Sequence, residues 1–127
     1  MTAQIDIAVH PSQRMLNLRL SGHFTLADVA RYEVEFGKAL RKLGGLPNTH
    51  LTLCDVSATA VSTRDVGEAL QRVITRADYR SRYCAMVVKG ALARMQARRI
   101  VDRPDVMIFD DVASARAWLL ASARDAA

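Results

Sequence analysis

The chain has 127 residues, of which 50% are apolar and 24% are charged, and its formal net charge is +5. This composition is that of a soluble globular protein, and it excludes both an intrinsically disordered chain and one with an apolar run long enough to cross a membrane. The length predicts a single domain over residues 1–127.

The first third of the chain predicts a hairpin followed by a helix. Apolar residues run from Ile5 to Val9, and side chains alternate between apolar and polar from Met15 to Ser21. Because His10-Pro11-Ser12 between them suits a turn, we expect two antiparallel strands. Thr25 can cap the following helix, which should end at Gly44-Gly45.

Strands and helices alternate along the rest of the chain. We predict three further strands, at Leu51–Asp55, Tyr83–Val88 and Val106–Phe109. We predict three further helices. One begins at Ser62 or Thr63, one runs from about Ala91 to Val101, and the last follows a cap at Asp110 or Asp111.

Three finer expectations concern these helices. Glu68 and Arg72, four residues apart, should form an ion pair on the outer face of the second helix. Leu92 should face inward on the third helix. The tail from Ser122 to Ala127 should fray.

The order of elements is therefore β-β-α-β-α-β-α-β-α. Strands that alternate with helices favour parallel pairing, so we predict an α/β fold with a mixed sheet of about five strands and helices packed on it. Ligands of such sheets bind beyond the carboxyl ends of the strands, which here selects the loops after Asp55, Val88 and Phe109.

No pattern of catalytic or metal-binding residues stands out. The three histidines are isolated in the sequence, and Cys54 and Cys84 each lie in an apolar run without a ligand partner nearby. We therefore expect buried, reduced thiols, no metal, no cofactor and no enzyme activity. Reduced thiols and the absence of an export signal at the first residues predict a cytoplasmic protein.

Two segments and the order of elements resemble STAS-like domains, which join sulphate transporters with anti-sigma-factor antagonists. The segments are Leu51–Ser57, at a strand end that leads to a helix, and Phe109–Leu119 at the last strand and helix. The resemblance covers nearly the whole chain. It implies a STAS-like domain that acts as a non-enzymatic regulatory or protein-interaction module.

In the antagonists that this chain resembles, an Asp-Ser-Ser-Gly motif after the strand carries the phosphorylated serine that switches partner binding. Aligning Asp55-Val56-Ser57 with the family's strand end places Thr63-Arg64-Asp65-Val66 at the motif. The serine is missing and Val66 replaces the glycine, so we expect a module without the usual phosphoserine switch. Ser57, Ser62 and Thr63 are nearby hydroxyls that could be modified instead, although Ser62 or Thr63 could simply cap the helix.

The candidate partner surface follows from these placements. It comprises Asp55, Ser57, Ser62, Thr63, Arg64 and Asp65, together with Arg94 and Arg98 on the third helix. We expect a protein partner there, while Asp55 could equally organise a turn. The alternative is a small-molecule or anionic lipid-binding module that uses the strand-end cleft, with Arg94 or Arg98 holding the anionic group.

Positive charge is concentrated between Arg76 and Arg103, with eight basic residues and two acidic ones. Such a segment could attract a phosphate, a lipid headgroup or an acidic protein face, or it could be an ordinary solvated surface. We do not expect nucleic-acid binding, because only Tyr79 and Tyr83 accompany the arginines. The sequence leaves self-association open.

Overall fold

Two antiparallel strands open the fold. The structure is a computed structural model that describes residues 2–60, 62–100 and 103–125. In it, β1 (Gln4–His10) pairs with β2 (Met15–Gly22) without a break in register. The alternate apolar side chains of the two strands share one face, as the period-two pattern requires; they are Ile5, Ile7 and Val9 of β1 and Leu16, Leu18 and Leu20 of β2. The predicted hairpin is confirmed.

Three strands continue the sheet in parallel with β2, giving the order β1-β2-β3-β4-β5. They are β3 (Leu51–Thr59), β4 (Tyr83–Val87) and β5 (Val106–Phe109). The connecting helices are α1 (Leu26–Leu43), α2 (Arg64–Ile74) and α3 (Ala91–Ile100). The α/β fold class and the mixed five-stranded sheet are thus confirmed, while the predicted end of α3 at Val101 lies outside the described residues.

The three connecting helices share one face of the sheet. Each crossover moves one strand further in the same direction, and parallel connections keep one hand, so their helices must lie on the same side. Residues of all three helices belong to one apolar cluster with the inward side chains of β2, β3 and β4. We call this side the α1–α3 face.

α4 (Val112–Asp125) covers part of the opposite face, which we call the α4 face. Ala115 and Leu119 are fully buried there against β3 and β4. The helix continues to Asp125 rather than fraying from Ser122, because Leu120 and Ala123 pack against this second core. The prediction of a frayed tail was therefore wrong for residues 122–125.

Two predicted helix starts have the expected caps. The Thr25 hydroxyl accepts a hydrogen bond from the Asp28 N–H (3.3 Å), and the Asp28 carboxylate accepts one from the Thr25 N–H (2.9 Å), which completes a capping box. At α4, Asp111 accepts a hydrogen bond from the Ser114 N–H at 2.7 Å. Asp111, not Asp110, is thus the cap.

β3 is longer than predicted. The residues after Asp55, expected to form a polar loop, continue the strand to Thr59 because β2 also extends and supplies a partner as far as Gly22. Opposite them the register shifts between Arg19 and Ser21, so this end of the sheet contains a bulge.

Two side-chain predictions on the helices were wrong. Glu68 pairs with Arg64, at 3.3 Å, rather than with Arg72. Leu92 is 58% exposed, because the inward side of α3 presents Ala93, Gln96 and Ala97 instead. No helix in the described part of the chain combines the length and the hydropathy that a membrane crossing needs.

Candidate functional site

The structure separates the predicted site residues onto two surfaces near the carboxyl end of β3. Asp55 lies on the α4 face, in a shallow groove with Arg19 and Arg116. Ser62, Thr63 and Arg64 lie on the α1–α3 face, at the start of α2. The second surface therefore brings together three of the eight predicted residues.

Asp55 organises the end of its strand. Its Oδ1 accepts hydrogen bonds from the Ser57 N–H (3.0 Å) and from the Ser57 hydroxyl (2.6 Å). Both groups of Ser57 are thereby engaged at the bulged part of β3. These contacts favour the structural interpretation of Asp55 over a role in binding a partner.

A groove of about 560 Å³ separates the start of α2 from α3. We call it the α2–α3 groove. Its walls come from the β3–α2 loop, the first turns of α2 and the outer part of α3. It is lined by Ser62, Thr63, Arg64, Gly67, Glu68, Gln71, Gln96 and Arg99.

Gln96 ties the two walls of this groove together. Its Oε1 accepts a hydrogen bond from the Ser62 N–H (3.4 Å), and its Nε2 donates one to the Ser62 carbonyl oxygen (3.2 Å). One carboxamide thus satisfies both backbone groups of a loop residue that has no strand or helix partner. Sequence reasoning missed Gln96, although a polar residue between Ala93 and Ala97 on the inward side of α3 is the signal that could have found it.

Thr63 occupies the N-cap position of α2 but does not cap it through its side chain. Its hydroxyl donates to Asp65 Oδ1 at 2.5 Å, and the same oxygen accepts a hydrogen bond from the Val66 N–H at 2.9 Å. These hydrogen bonds, with that of the Thr63 hydroxyl the largest cause, lower the pKa of Asp65. The exposed Thr63 hydroxyl therefore lies beside an ionised carboxylate.

The rim of the α2–α3 groove is basic. The Arg64 side chain is 94% exposed and pairs with Glu68 only at the surface. Such exposed pairs contribute little to stability, so Arg64 can exchange this partner for another at small cost. Arg99 is exposed and also lines the groove, whose charged lining is therefore two arginines and one carboxylate, Glu68. Arg98 is exposed on α3 but is not part of the groove lining.

Arg94 binds another residue of the protein instead of being free for a partner. It forms an ion pair with Asp110, directly after β5. The pair links the start of α3 to the connection between β5 and α4. Arg94 is thus engaged within the protein, whereas Arg98 is exposed.

An apolar cavity of about 90 Å³ lies between the sheet and the connecting helices. Ser62 and Gln96 line both this cavity and the α2–α3 groove, so they form the wall between them. A neighbouring cavity of about 50 Å³ is bordered by Arg80 and Arg103. Neither cavity is lined by Arg94 or Arg98, and both are much smaller than the roughly 300 Å³ at which ligand pockets begin.

Both thiols are free; Cys54 is buried as predicted, whereas Cys84 is only partly buried against the core. Burial raises the pKa of Cys54 and raises that of Cys84 to about 12, so both are protonated at neutral pH and are poor nucleophiles. His50 is buried as well, and this lowers its pKa to about 4. Among the described residues no three His, Cys, Asp or Glu side chains come together as metal ligands would.

No family model and no curated protein matches the sequence. Among solved structures, an uncharacterized DUF3478-family protein with a SpoIIAA-like fold from Shewanella loihica PV-4 is similar over 94% of this chain and 96% of its own, with a TM-score of 0.71 and 19% identity. An anti-sigma factor antagonist from Mycobacterium paratuberculosis is similar over 93% of this chain and 94% of its own, with a TM-score of 0.62 and 11% identity. The STAS-like fold that the sequence predicted is thereby confirmed.

Proposed function

Because the chain has a STAS-like fold, we propose that it is a non-enzymatic regulatory module that binds another protein through the α2–α3 groove. One observation carries the proposal: the groove brings together Ser62, Thr63 and Arg64, the residues predicted from the loop after β3. One of its structural neighbours is named as an anti-sigma factor antagonist, that is, a protein that acts on another protein. The proposal extends this mode of action to the present chain.

The shape and charge of the groove fit a protein surface better than a small molecule. It is an open groove lined mainly by polar residues rather than an enclosed apolar cavity, and Arg64 and Arg99 lie along its walls. Arginine side chains pair favourably with carboxylates. We therefore assign to the partner an acidic segment that enters between α2 and α3.

The proposed module works without the family's phosphoserine switch. Val66, at the place of the family's glycine, is buried at 3% exposure and anchors the first turn of α2 in the core. Of the candidate hydroxyls, that of Ser57 is bonded to Asp55, and that of Thr63 is bonded to Asp65. Binding would then depend on the partner's concentration and charge rather than on modification of this loop.

The absence of catalysis is also part of the proposal. The two thiols are protonated at neutral pH, and the buried His50 has no hydrogen-bond partner for its Nε2 among the described residues. The two cysteines and His50 therefore do not supply an activated nucleophile with its base. Two free thiols in the core support a reducing compartment, so the proposal places the protein in the cytoplasm.

Site-specific photocrosslinking in cells identifies the partner and tests the surface. A photoreactive residue is placed at Arg99, in the groove, and separately at Arg124, which is exposed near the end of α4 on the other face of the sheet. We expect one protein to be crosslinked from Arg99 and not from Arg124. Equal crosslinking from both positions would contradict the proposed surface.

Binding of the purified partner then quantifies the contribution of charge. Arg64→Glu and Arg99→Glu should each raise Kd at least about tenfold, which corresponds to about 1.4 kcal/mol, while the matched control Arg124→Glu should leave it unchanged. Unchanged Kd values in both groove variants would exclude this surface. Native mass spectrometry of the purified chain addresses the alternative, since a retained small anionic molecule would favour a ligand-binding module.

A further inference from the structure

The two edges of the sheet differ in their protection against pairing with another strand. β5 has only four residues, follows Pro104, and is succeeded by Asp110 and Asp111. Short length, proline and charge are the usual means by which an edge strand avoids association. β1 has seven residues, an unbroken register with β2, no proline and only one charged residue, Asp6.

The side chains of β1 also suit a further strand. Ile5, Ile7 and Val9 face α1 and are only partly buried, because the described part of the chain has no strand beyond β1 to complete the layer. Asp6 and Ala8 alternate with them and are exposed on the α4 face. Another strand at this edge would satisfy the outward backbone groups of β1 and cover its apolar side chains.

A second β1 fits this edge in the antiparallel register that overlaps all seven residues of the strand. A two-fold axis at Ile7 pairs each Ile7 with its counterpart, Ile5 with Val9, Asp6 with Ala8, and Gln4 with His10. All apolar pairs then fall on the α1–α3 face and all remaining pairs on the α4 face, because each residue is paired with a residue whose side chain points to the same face of the sheet. No like charges oppose each other in this register.

We propose that β1 pairs antiparallel with β1 of a second copy of this chain, which joins two five-stranded sheets into one continuous sheet. The contact is isologous, so it closes after two copies and does not propagate into a fibre. The α2–α3 groove is separated from this edge, because α1 packs over β1 and α2 lies between α1 and α3. The dimer therefore presents two open grooves, and it would bind a repetitive or dimeric partner more tightly than one copy does.

Two substitutions of Ala8 with opposite charge test the register. Sedimentation velocity over about 1–500 µM measures the dimer dissociation constant of the full chain. Ala8→Asp places a carboxylate opposite Asp6 of the second copy at two symmetric positions, so it should raise this constant at least tenfold. Ala8→Lys places an ammonium group there instead, so it should leave the constant unchanged or lower it.

The outcomes separate clearly. Ala8 is exposed, and circular dichroism melting checks that both variants remain folded. A wild-type dimer whose dissociation constant rises in Ala8→Asp and does not rise in Ala8→Lys supports the proposed contact. A wild-type chain that stays monomeric at all concentrations overturns it, as does a dimer on which both variants act alike.

Discussion

Gln96 of α3 and Ser62 are joined by two hydrogen bonds: the Ser62 N–H donates to the carboxamide oxygen of Gln96, and the carboxamide nitrogen of Gln96 donates to the Ser62 carbonyl oxygen. This contact joins residues 34 positions apart in the chain and forms the wall between the α2–α3 groove and the apolar cavity beneath it. The position of the loop that precedes α2 therefore depends on α3.

Replacement of Gln96 tests this dependence. Gln96→Leu keeps the size of the side chain but leaves both backbone groups of Ser62 without their partner, so the free energy of unfolding should fall by about 1–3 kcal/mol. Amide exchange at Ser62 should accelerate at the same time. The control Gln71→Leu alters an exposed glutamine of the same groove and should change the free energy of unfolding by less than about 0.5 kcal/mol. An equal loss of stability in the two variants would show that the hydrogen bonds between Gln96 and Ser62 have no special role.

A negative charge at Thr63 should weaken partner binding. Thr63→Glu adds a carboxylate beside Asp65 and inside a basic groove, so an acidic partner segment would be repelled. We expect Kd to rise at least about tenfold while the melting temperature stays close to that of the wild type, because Thr63 is exposed. The neutral control Thr63→Gln should bind nearly normally, and a comparable loss in this control would point to the shape of the loop rather than to its charge.

His50 should make stability depend on pH. Burial lowers its pKa to about 4 from the ordinary value of 6.5, so between these values the unfolded chain takes up a proton that the folded chain does not. The stability that the neutral, buried His50 contributes is fully present above pH 6.5 and is lost as the pH falls toward 4. The free energy of unfolding should fall over this range by at most about 1.4 kcal/mol per pH unit. Chemical denaturation of wild type and His50→Gln at a series of pH values should show a smaller slope in the variant, and parallel curves would contradict the shift.

Gly37 should not tolerate a side chain while Tyr79 keeps its hydroxyl. A Cβ at Gly37 would lie 2.4 Å from Tyr79 Oη but 3.3 Å from Cζ. Gly37→Ala should therefore destabilise the protein by about 1–3 kcal/mol, and less in a Tyr79→Phe background, as a double-mutant cycle measures.

Gly67 is the matched control for this substitution. It also lies within a helix, and a Cβ there would meet no heavy atom within 4 Å. Gly67→Ala should therefore stabilise α2 by about 0.5–1 kcal/mol, since alanine is the better helix former. If both glycine substitutions stabilise the protein, Tyr79 does not limit the space at Gly37.

Local patterns were sufficient to predict the elements and their order. The alternation of Met15–Ser21 and the caps at Thr25 and Asp111 depend on neighbouring residues, so they could be identified in the chain alone. The length of β3 could not, because Thr59 is in a strand only where β2 supplies a partner. The exposure of Leu92 likewise follows from the tertiary contact that turns Gln96 inward.

The candidate site was predicted in part for the same reason. Proximity in sequence placed Ser62, Thr63 and Arg64 together correctly, but it also grouped Asp55 with them, although that residue lies on the other face of the sheet. Gln96 and Arg99 belong to the groove only through the packing of α2 against α3. The residues that the sequence did not predict thus join the groove through contacts between segments that are distant in the chain.

The most direct measurement is an NMR titration of the labelled chain with the partner obtained by crosslinking from Arg99. Binding through the α2–α3 groove predicts amide shift changes concentrated in residues 62–71 and 95–99, with little change along β1 and α4. Changes concentrated on β1 or α4, with residues 62–71 and 95–99 unaffected, would contradict the proposed function.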